Sequence, residues 1–269
     1  MFSLYTSTLQ RLGYSSSDID SFLTTIKDNY LKKIYVIRPF LRGHTLLDIS
    51  TGYGTFLFFL HSQFPELDLF SLDLDFSAIS SFRSRCNFLT HFAVSHAFLL
   101  PFRHYSFDIV LSHNATHDLI LDSYSEERFF VEFFSVLRPG GTFIIIDKVT
   151  DHTSINSFDY QMETLQHYLL KLAGKRVFGL KKFRDLERII SRFSDNYHSE
   201  LLELSSHPLD SSFSKAFYGP SHWSYLLSLI RPPKRSLAND LVEDFIDKLN
   251  NDFFSFVPLP SAVFVGIKE

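Results

Sequence analysis

Between Thr45 and Val149 the chain alternates short apolar runs with helical patterns, and this rhythm constrains the fold more than any other feature. TLLDIS (45–50), LDLFSLDLD (67–75), HFAVSHAF (91–98), SFDIVLSHN (106–114) and TFIIIDKV (142–149) read as five strands. TFLFFLHSQF, FSAISSFRSRCNFL and EERFFVEFFSVL carry helical periodicity between them. Ser123 with Glu126 fits a capping box for the last helix, and Pro139-Gly140-Gly141 stops it. A fully apolar run such as Phe143–Ile146 suits a strand buried on both faces. Strands separated by helices at this spacing predict a parallel α/β sheet.

The flanks read differently. Apolar residues at Ile19, Phe22, Leu23, Ile26, Tyr30, Ile34 and Ile37 predict a lead-in helix over 16–38, capped by Ser15 or Ser16 and closed by Pro39. After Val149 the rhythm is lost. Residues 155–193 look helical and carry Lys171, Lys175, Arg176, Lys181, Lys182, Arg184, Arg188 and Arg192. SELLELS (199–205) reads as a strand, 222–230 and 236–253 as helices around RPPKR, and SAVFVGIK (261–268) as a final strand. No linker is visible, so one domain with a large insertion is expected.

With 269 residues the chain can bury a large core unaided. Its net charge of −4 argues against a whole-chain nucleic-acid binder. A single cysteine, Cys86, excludes an intramolecular disulfide and a Cys-clustered zinc site; no metal is expected. The first residues lack the pattern of a signal peptide, and no run reaches the length of a membrane helix. The expectation is a cytoplasmic protein. The 31 phenylalanines read as compositional bias that fills the core.

The strongest local signal is Leu47-Asp48-Ile49-Ser50-Thr51-Gly52-Tyr53-Gly54. A strand ends near an acid, then turns through small residues into a helix. Such residues let backbone approach a ligand, and the helix start offers N–H groups. The third glycine of a dinucleotide fingerprint is replaced by Leu57, so a pyrophosphate site is weakly supported. Asp48 suits a ligand that carries positive charge, such as an ammonium or a sulfonium.

From here the sequence resembles the class I S-adenosylmethionine-dependent methyltransferases, especially the small-molecule enzymes with a type 11 domain. Asp48 through Gly54 fit the first motif of that family, with Ser50 in place of its first glycine. Asp73 ends the second strand where the family places the acid that holds the ribose hydroxyls, with Leu74 beside it. Leu100-Pro101-Phe102 and Ser106–Val110 match its "LPF…FD" stretch, and Val136–Gly141 its "vLkPGG" turn. These motifs cover about residues 40–150. The resemblance implies a Rossmann-like, seven-stranded, mostly parallel sheet with helices on both faces, an N-terminal helical lead-in and a helical insertion after the fifth strand. It divides the chain into an N-terminal helical lid (1–40), an S-adenosylmethionine-binding core (41–150), a helical insertion and substrate region (151–258) and a terminal strand completing the sheet (259–269).

The resemblance implies S-adenosyl-L-methionine as cofactor, held by Asp48, Ser50, Gly52, Gly54, Asp73, Leu74, His96, Ala97, Phe98 and Asn114. His96 occupies the slot where the family often places an acid for the adenine amino group. A neutral imidazole can accept there, and otherwise the backbone of Ala97 or Phe98 must serve. His113 and His117 flank Asn114 after the fourth strand and are the candidate bases. Tyr160, Tyr218 and Trp223 are candidates to line a substrate pocket. Each feature also has a plain structural reading: glycine turn, helix cap, packed aromatic, solvated basic helix face. The expected reaction is direct methyl displacement onto a small molecule. The alternatives are an RNA or protein methyltransferase, or a non-catalytic cofactor-binding or scaffold member of the fold.

Overall fold

The computed structural model describes residues 3–120, 122–175, 179–218 and 220–269; Arg176 of the basic run lies outside them. Two helices lead in, α1 (Ser3–Arg11) and α2 (Ser16–Ile37). Then come β1 (Thr45–Ile49), α3 (Thr55–Gln63), β2 (Asp68–Asp73), α4 (Phe76–Arg85), β3 (Thr90–Val94) and β4 (Phe107–His113). A single turn α5 (Thr116–Leu119) precedes α6 (Ser123–Val136) and β5 (Leu137–Lys148). The remainder is α7 (Phe158–Leu172), α8 (Phe183–Ile190), β6 (Tyr197–Leu202), α9 (Asp210–Phe217), α10 (Pro220–Leu229), α11 (Lys234–Asn250) and β7 (Ser261–Ile267).

The strands form one seven-stranded sheet in the order β3-β2-β1-β4-β5-β7-β6. Pairings from β3 to β5 are parallel, and β7 runs antiparallel between β5 and β6. The chain turns one way from β1 to β2 and the other way to β4. That reversal opens a crevice at the carboxyl ends of β1 and β4, where open α/β sheets bind ligands.

The central strands are buried on both faces, as their apolar runs predict. Ile109, Leu111, Ile144 and Ile146 face a core shared with α2 and α3. Val110, Phe143 and Ile145 face the opposite core, with Phe129, Phe130 and Phe133 of α6 and Ile189 and Ile190 of α8. Two smaller clusters lie outside the sheet. One joins α7, α10 and α11 around a fully buried Trp223. The other joins Leu9 of α1, Ile19 and Phe22 of α2, and Leu209.

Several local expectations change. The cap of α6 is Asp122, not Ser123. Its carboxylate accepts from Ser125 N at 2.8 Å while Ser125 Oγ accepts from Asp122 N at 2.9 Å. Glu126 pairs instead with Arg192. The helix expected over 155–193 is two helices. Gly174, at φ 75°, ends α7 by letting Lys175 N reach Leu170 O and Gly174 N reach Lys171 O. Strand β5 begins at Leu137, before the Pro-Gly-Gly turn, with a bulge against β4. Helix α1 has no counterpart in the sequence reading. Within 151–258, α8 and β6 belong to the layers of the sheet. Among the described residues no helix is long and apolar enough to cross a membrane.

Candidate active site

At the carboxyl ends of β1, β2 and β4 lies a cleft of about 270 Å³. It gathers Ser50, Asp73, Leu74, His96, Ala97 and Asn114 of the expected cofactor residues, with Ala115, Asp118 and Leu119 added. Ser50 and Asn114 each follow a strand and sit at positive φ, 64° and 52°. Non-glycine residues in that region are sparse and cluster at functional sites.

Asp73 braces the glycine turn. Its Oδ2 accepts from Gly52 N at 2.7 Å and its Oδ1 from Asp75 N at 2.9 Å. Each carboxylate oxygen keeps a further lone pair for a ligand hydroxyl. Gly54 is demanded by packing: a Cβ there would stand 2.4 Å from the Phe82 ring, whereas one at Gly52 would meet nothing within 4 Å. Gly52, Gly54 and Asp48 support the cleft and do not line it.

Asp48 is 2 % exposed on β1, and its Oδ1 has no hydrogen-bond partner. Burial, reinforced by Asp73, pushes its carboxyl well above the usual range. Asn114 Oδ1 is a second buried acceptor without a donor. Asn114 lines the cleft, so its orphaned acceptor fits a ligand that brings N–H donors or positive charge.

The His96 corner differs from the expectation in one respect. His96 is exposed and lines the cleft with Ala97. Its Nδ1 accepts from Phe98 N at 3.1 Å. Phe98 does not line the cleft, and its N–H is already committed, so it is not the adenine contact expected of it. With Nδ1 used, Nε2 is the ring atom left to meet a ligand.

Asn114 also lines a second cavity, of about 330 Å³, on the far side of the strand ends. Its walls come from α1, α2, β5, α7, α9 and the segment before β7, including Tyr5, Phe22, Phe213 and Tyr218. Asn29, Lys33, Lys148, Asp159 and Asp210 supply polar groups. Lys148 is paired with Glu163 at 2.6 Å, and the acids Glu163 and Asp159 outweigh burial to raise its ammonium above its ordinary value. Burial lifts the Tyr218 phenol to about 12.

Neither candidate histidine is placed as a free base. His113 does not line the cavity. Its ring stacks on Phe56 at 4.4 Å, and Nε2 lies 3.2 Å from Lys33 Nζ. Burial, with Lys33 beside it, pushes its pKa well below 6.5, so it stays neutral. His117 is buried with Nδ1 2.5 Å from Asp147 Oδ1. Burial opposes its charge, but Asp147, Asp118 and Glu163 outweigh it and lift the pKa to about 9. His117 is therefore a protonated, clamped imidazolium at neutral pH, and a proton acceptor in neither sense. Asp147 is further held by the Thr116 hydroxyl and by the His117 and Lys148 amides.

Of the aromatic candidates, Tyr218 lines the cavity. Tyr160 lines a separate surface groove with Lys171 and Lys182, and Trp223 is core, donating Nε1 to Tyr218 O at 3.2 Å. The sequence reading missed Lys33. One signal was available: Tyr30, Lys33 and Ile37 fall on one helical stripe, so a lysine sits where an apolar residue belongs.

Two motif stretches prove structural. Asp108 of the "FD" pair accepts from Thr45 and His44 amides and the Thr45 hydroxyl, and Arg138 of the "LRPGG" turn pairs with it at 2.5 Å. Burial works against the charge, but these donors hold the carboxyl at about 2.

Residues 47–145 match the family model described as a methyltransferase domain. The fold is shared with the YcgJ protein of Bacillus subtilis at 18% identity, over 88% of this chain and 97% of that one, with a TM-score of 0.56. It is similar to a Haemonchus contortus phosphoethanolamine N-methyltransferase bound to phosphomonomethylethanolamine and S-adenosylhomocysteine: 18% identity, 88% and 52% coverage, TM-score 0.53. A geranyl diphosphate C-methyltransferase of Streptomyces coelicolor A3(2) aligns at 12% identity, 89% and 77% coverage, TM-score 0.50. By sequence, no curated protein matches.

Proposed function

We propose that this chain, whose residues 47–145 carry a methyltransferase domain of the class I S-adenosylmethionine-dependent kind, methylates a small molecule held in the 330 Å³ cavity. One observation carries the reading: Asn114 lines both the strand-end cleft and that cavity. A donor in the first and an acceptor in the second meet at one residue. The volume lies within the range of small-molecule sites. The Haemonchus and Streptomyces relatives, bound to phosphomonomethylethanolamine and geranyl diphosphate, support a small acceptor.

The cleft fits the cofactor on its own chemistry. Asp73 would take the ribose hydroxyls, and the orphaned Asn114 Oδ1 the cationic amino-acid end, with Asp48 buried behind the cleft. His96 and Ala97 would border the adenine. When bound, S-adenosylmethionine supplies a methyl group activated by its sulfonium. The protein's part is alignment and exclusion of water, which remove entropic and solvation barriers. Residues 1–40 and 151–258 supply most walls of the acceptor cavity, and we read them as its enclosure.

Calorimetric titration with S-adenosylhomocysteine, with NAD as control, tests the reading. Micromolar binding of the first alone is expected, weakened at least tenfold in Asp73→Ala. Binding of NAD in its place would assign the cleft to another chemistry.

A further inference from the structure

Lys33 is 5 % exposed, and its side chain lines the acceptor cavity near Asn114. Its hydrogen-bond partner among the described residues is His113 Nε2 at 3.2 Å. An ammonium at such a place normally has a carboxylate beside it. The groups that face it are His113 from β4, Asp147 and Lys148 from β5, and Asp159 from α7, with the Tyr30 ring 5.6 Å away on its own helix. Lys148 is already paired with Glu163.

We propose that Lys33 takes the proton from an amine acceptor during methyl transfer, with His113 as its positioning residue; this rests on the methyltransferase reading above. Burial, with Lys148 next, lowers the Lys33 pKa to about 7, so a large share of the amine is neutral at physiological pH. Neutral His113 accepts one Lys33 N–H and leaves the amine lone pair for the cavity. With Lys33 uncharged, the wall carries Asp159 and Asp210, with His207 beside Asp210, against Lys148, which is itself paired with Glu163. Two carboxylates draw in a cation, which is why the acceptor is an amine that arrives as an ammonium.

The step balances. One N–H bond of the ammonium breaks; its electron pair stays on nitrogen and its proton joins the Lys33 lone pair. The freed pair forms the N–C bond to the methyl carbon as the C–S bond breaks. That bond's electrons stay on sulfur, leaving a neutral thioether. The Lys33 proton returns to water after the product leaves.

The test follows lysine Nζ and Cε signals by NMR in lysine-labelled protein from pH 5.5 to 10, with Lys33→Arg for assignment. A Lys33 midpoint near 7 is expected, against about 10.4 for an ordinary lysine. Saturating S-adenosylmethionine should lower that midpoint by about half a unit relative to S-adenosylhomocysteine, because the two differ by the positive charge of the sulfonium. An ordinary midpoint, or one identical with both cofactors, in protein that binds both overturns this proposal and leaves the methyltransferase reading standing. Failure of both to bind folded protein overturns both. Among primary amines tried as acceptors, turnover should show an acidic limb at the Lys33 midpoint that Lys33→Met removes. A limb that survives in Lys33→Met also overturns the assignment.

Discussion

The two cavities that meet at Asn114 are built in opposite ways. The strand-end cleft, the proposed cofactor site, is made by strand ends and the turns that follow them, all from residues between Ser50 and Leu119. Strand register fixes these groups, because Asp48, Leu72 and Leu111 belong to neighbouring strands locked in one ladder. The acceptor cavity draws on residues from Tyr5 to Pro258, brought together by helix packing outside the sheet. In the proposed function, the strand ends hold the cofactor and the helices outside the sheet select what is methylated. The difference also predicts where mutations act on cofactor binding, on stability or on the acceptor alone.

The largest effect is expected at the seam beneath both cavities. Asp147→Asn leaves the buried His117 imidazolium without its carboxylate and should cost about 3–5 kcal/mol in denaturant unfolding. The pair also has a pH signature. The folded His117 pKa of about 9 lies above its ordinary 6.5, so its contribution is whole below 6.5 and is lost as pH rises through 9. A mutant with unchanged stability at pH 6 would remove this pair from the account.

Next comes the glycine turn. Gly54→Ala drives a Cβ into Phe82 at a left-handed φ and should cost about 2–3 kcal/mol. Gly52→Ala meets open space and should cost only the strain of its left-handed φ, about 1 kcal/mol. Thermal midpoints separate the two, and equal losses would break the distinction between a packed glycine and an open one.

Lys33 sharpens the acceptor side. Its folded pKa of about 7 lies below the ordinary 10.5, so its burial penalty is full below 7 and gone above 10.5. Lys33→Met should therefore stabilise the protein at pH 7, and progressively less toward pH 10. A gain independent of pH would mean that the charge is not what burial penalises.

The smallest effect is the most discriminating. Asn29→Ala lies in the acceptor cavity, where Asn29 bonds to Ser205, and should leave S-adenosylhomocysteine affinity within about twofold. A tenfold loss would merge the two cavities into one site.

Much of the core was legible in the sequence because its signals are local. The apolar runs gave five parallel strands in order, and LDISTGYG placed the turn that Asp73 braces. Where the reading failed, a distant partner decided. One partner was local: the Phe98 amide is taken by His96 two residues away. His117 became a clamped cation because Asp147, on β5, lies against it. His113 is stacked on Phe56 and bonded to Lys33, a helix residue 80 positions earlier in the chain. Asp108 and Arg138, which carry two of the recognisable motifs, pin β1, β4 and β5 together and touch neither cavity. Motif density thus reported the frame more than the chemistry, and the acceptor walls left almost no local trace.

The most direct measurement of the central claim is amide hydrogen exchange with and without saturating S-adenosylhomocysteine. The account predicts added protection at 50–54, 73–75, 96–98 and 114–119, with 205–214 and 256–258 unchanged. Protection centred on the latter segments, or spread evenly over both groups, would contradict a cofactor cleft at the strand ends that is separate from the acceptor cavity.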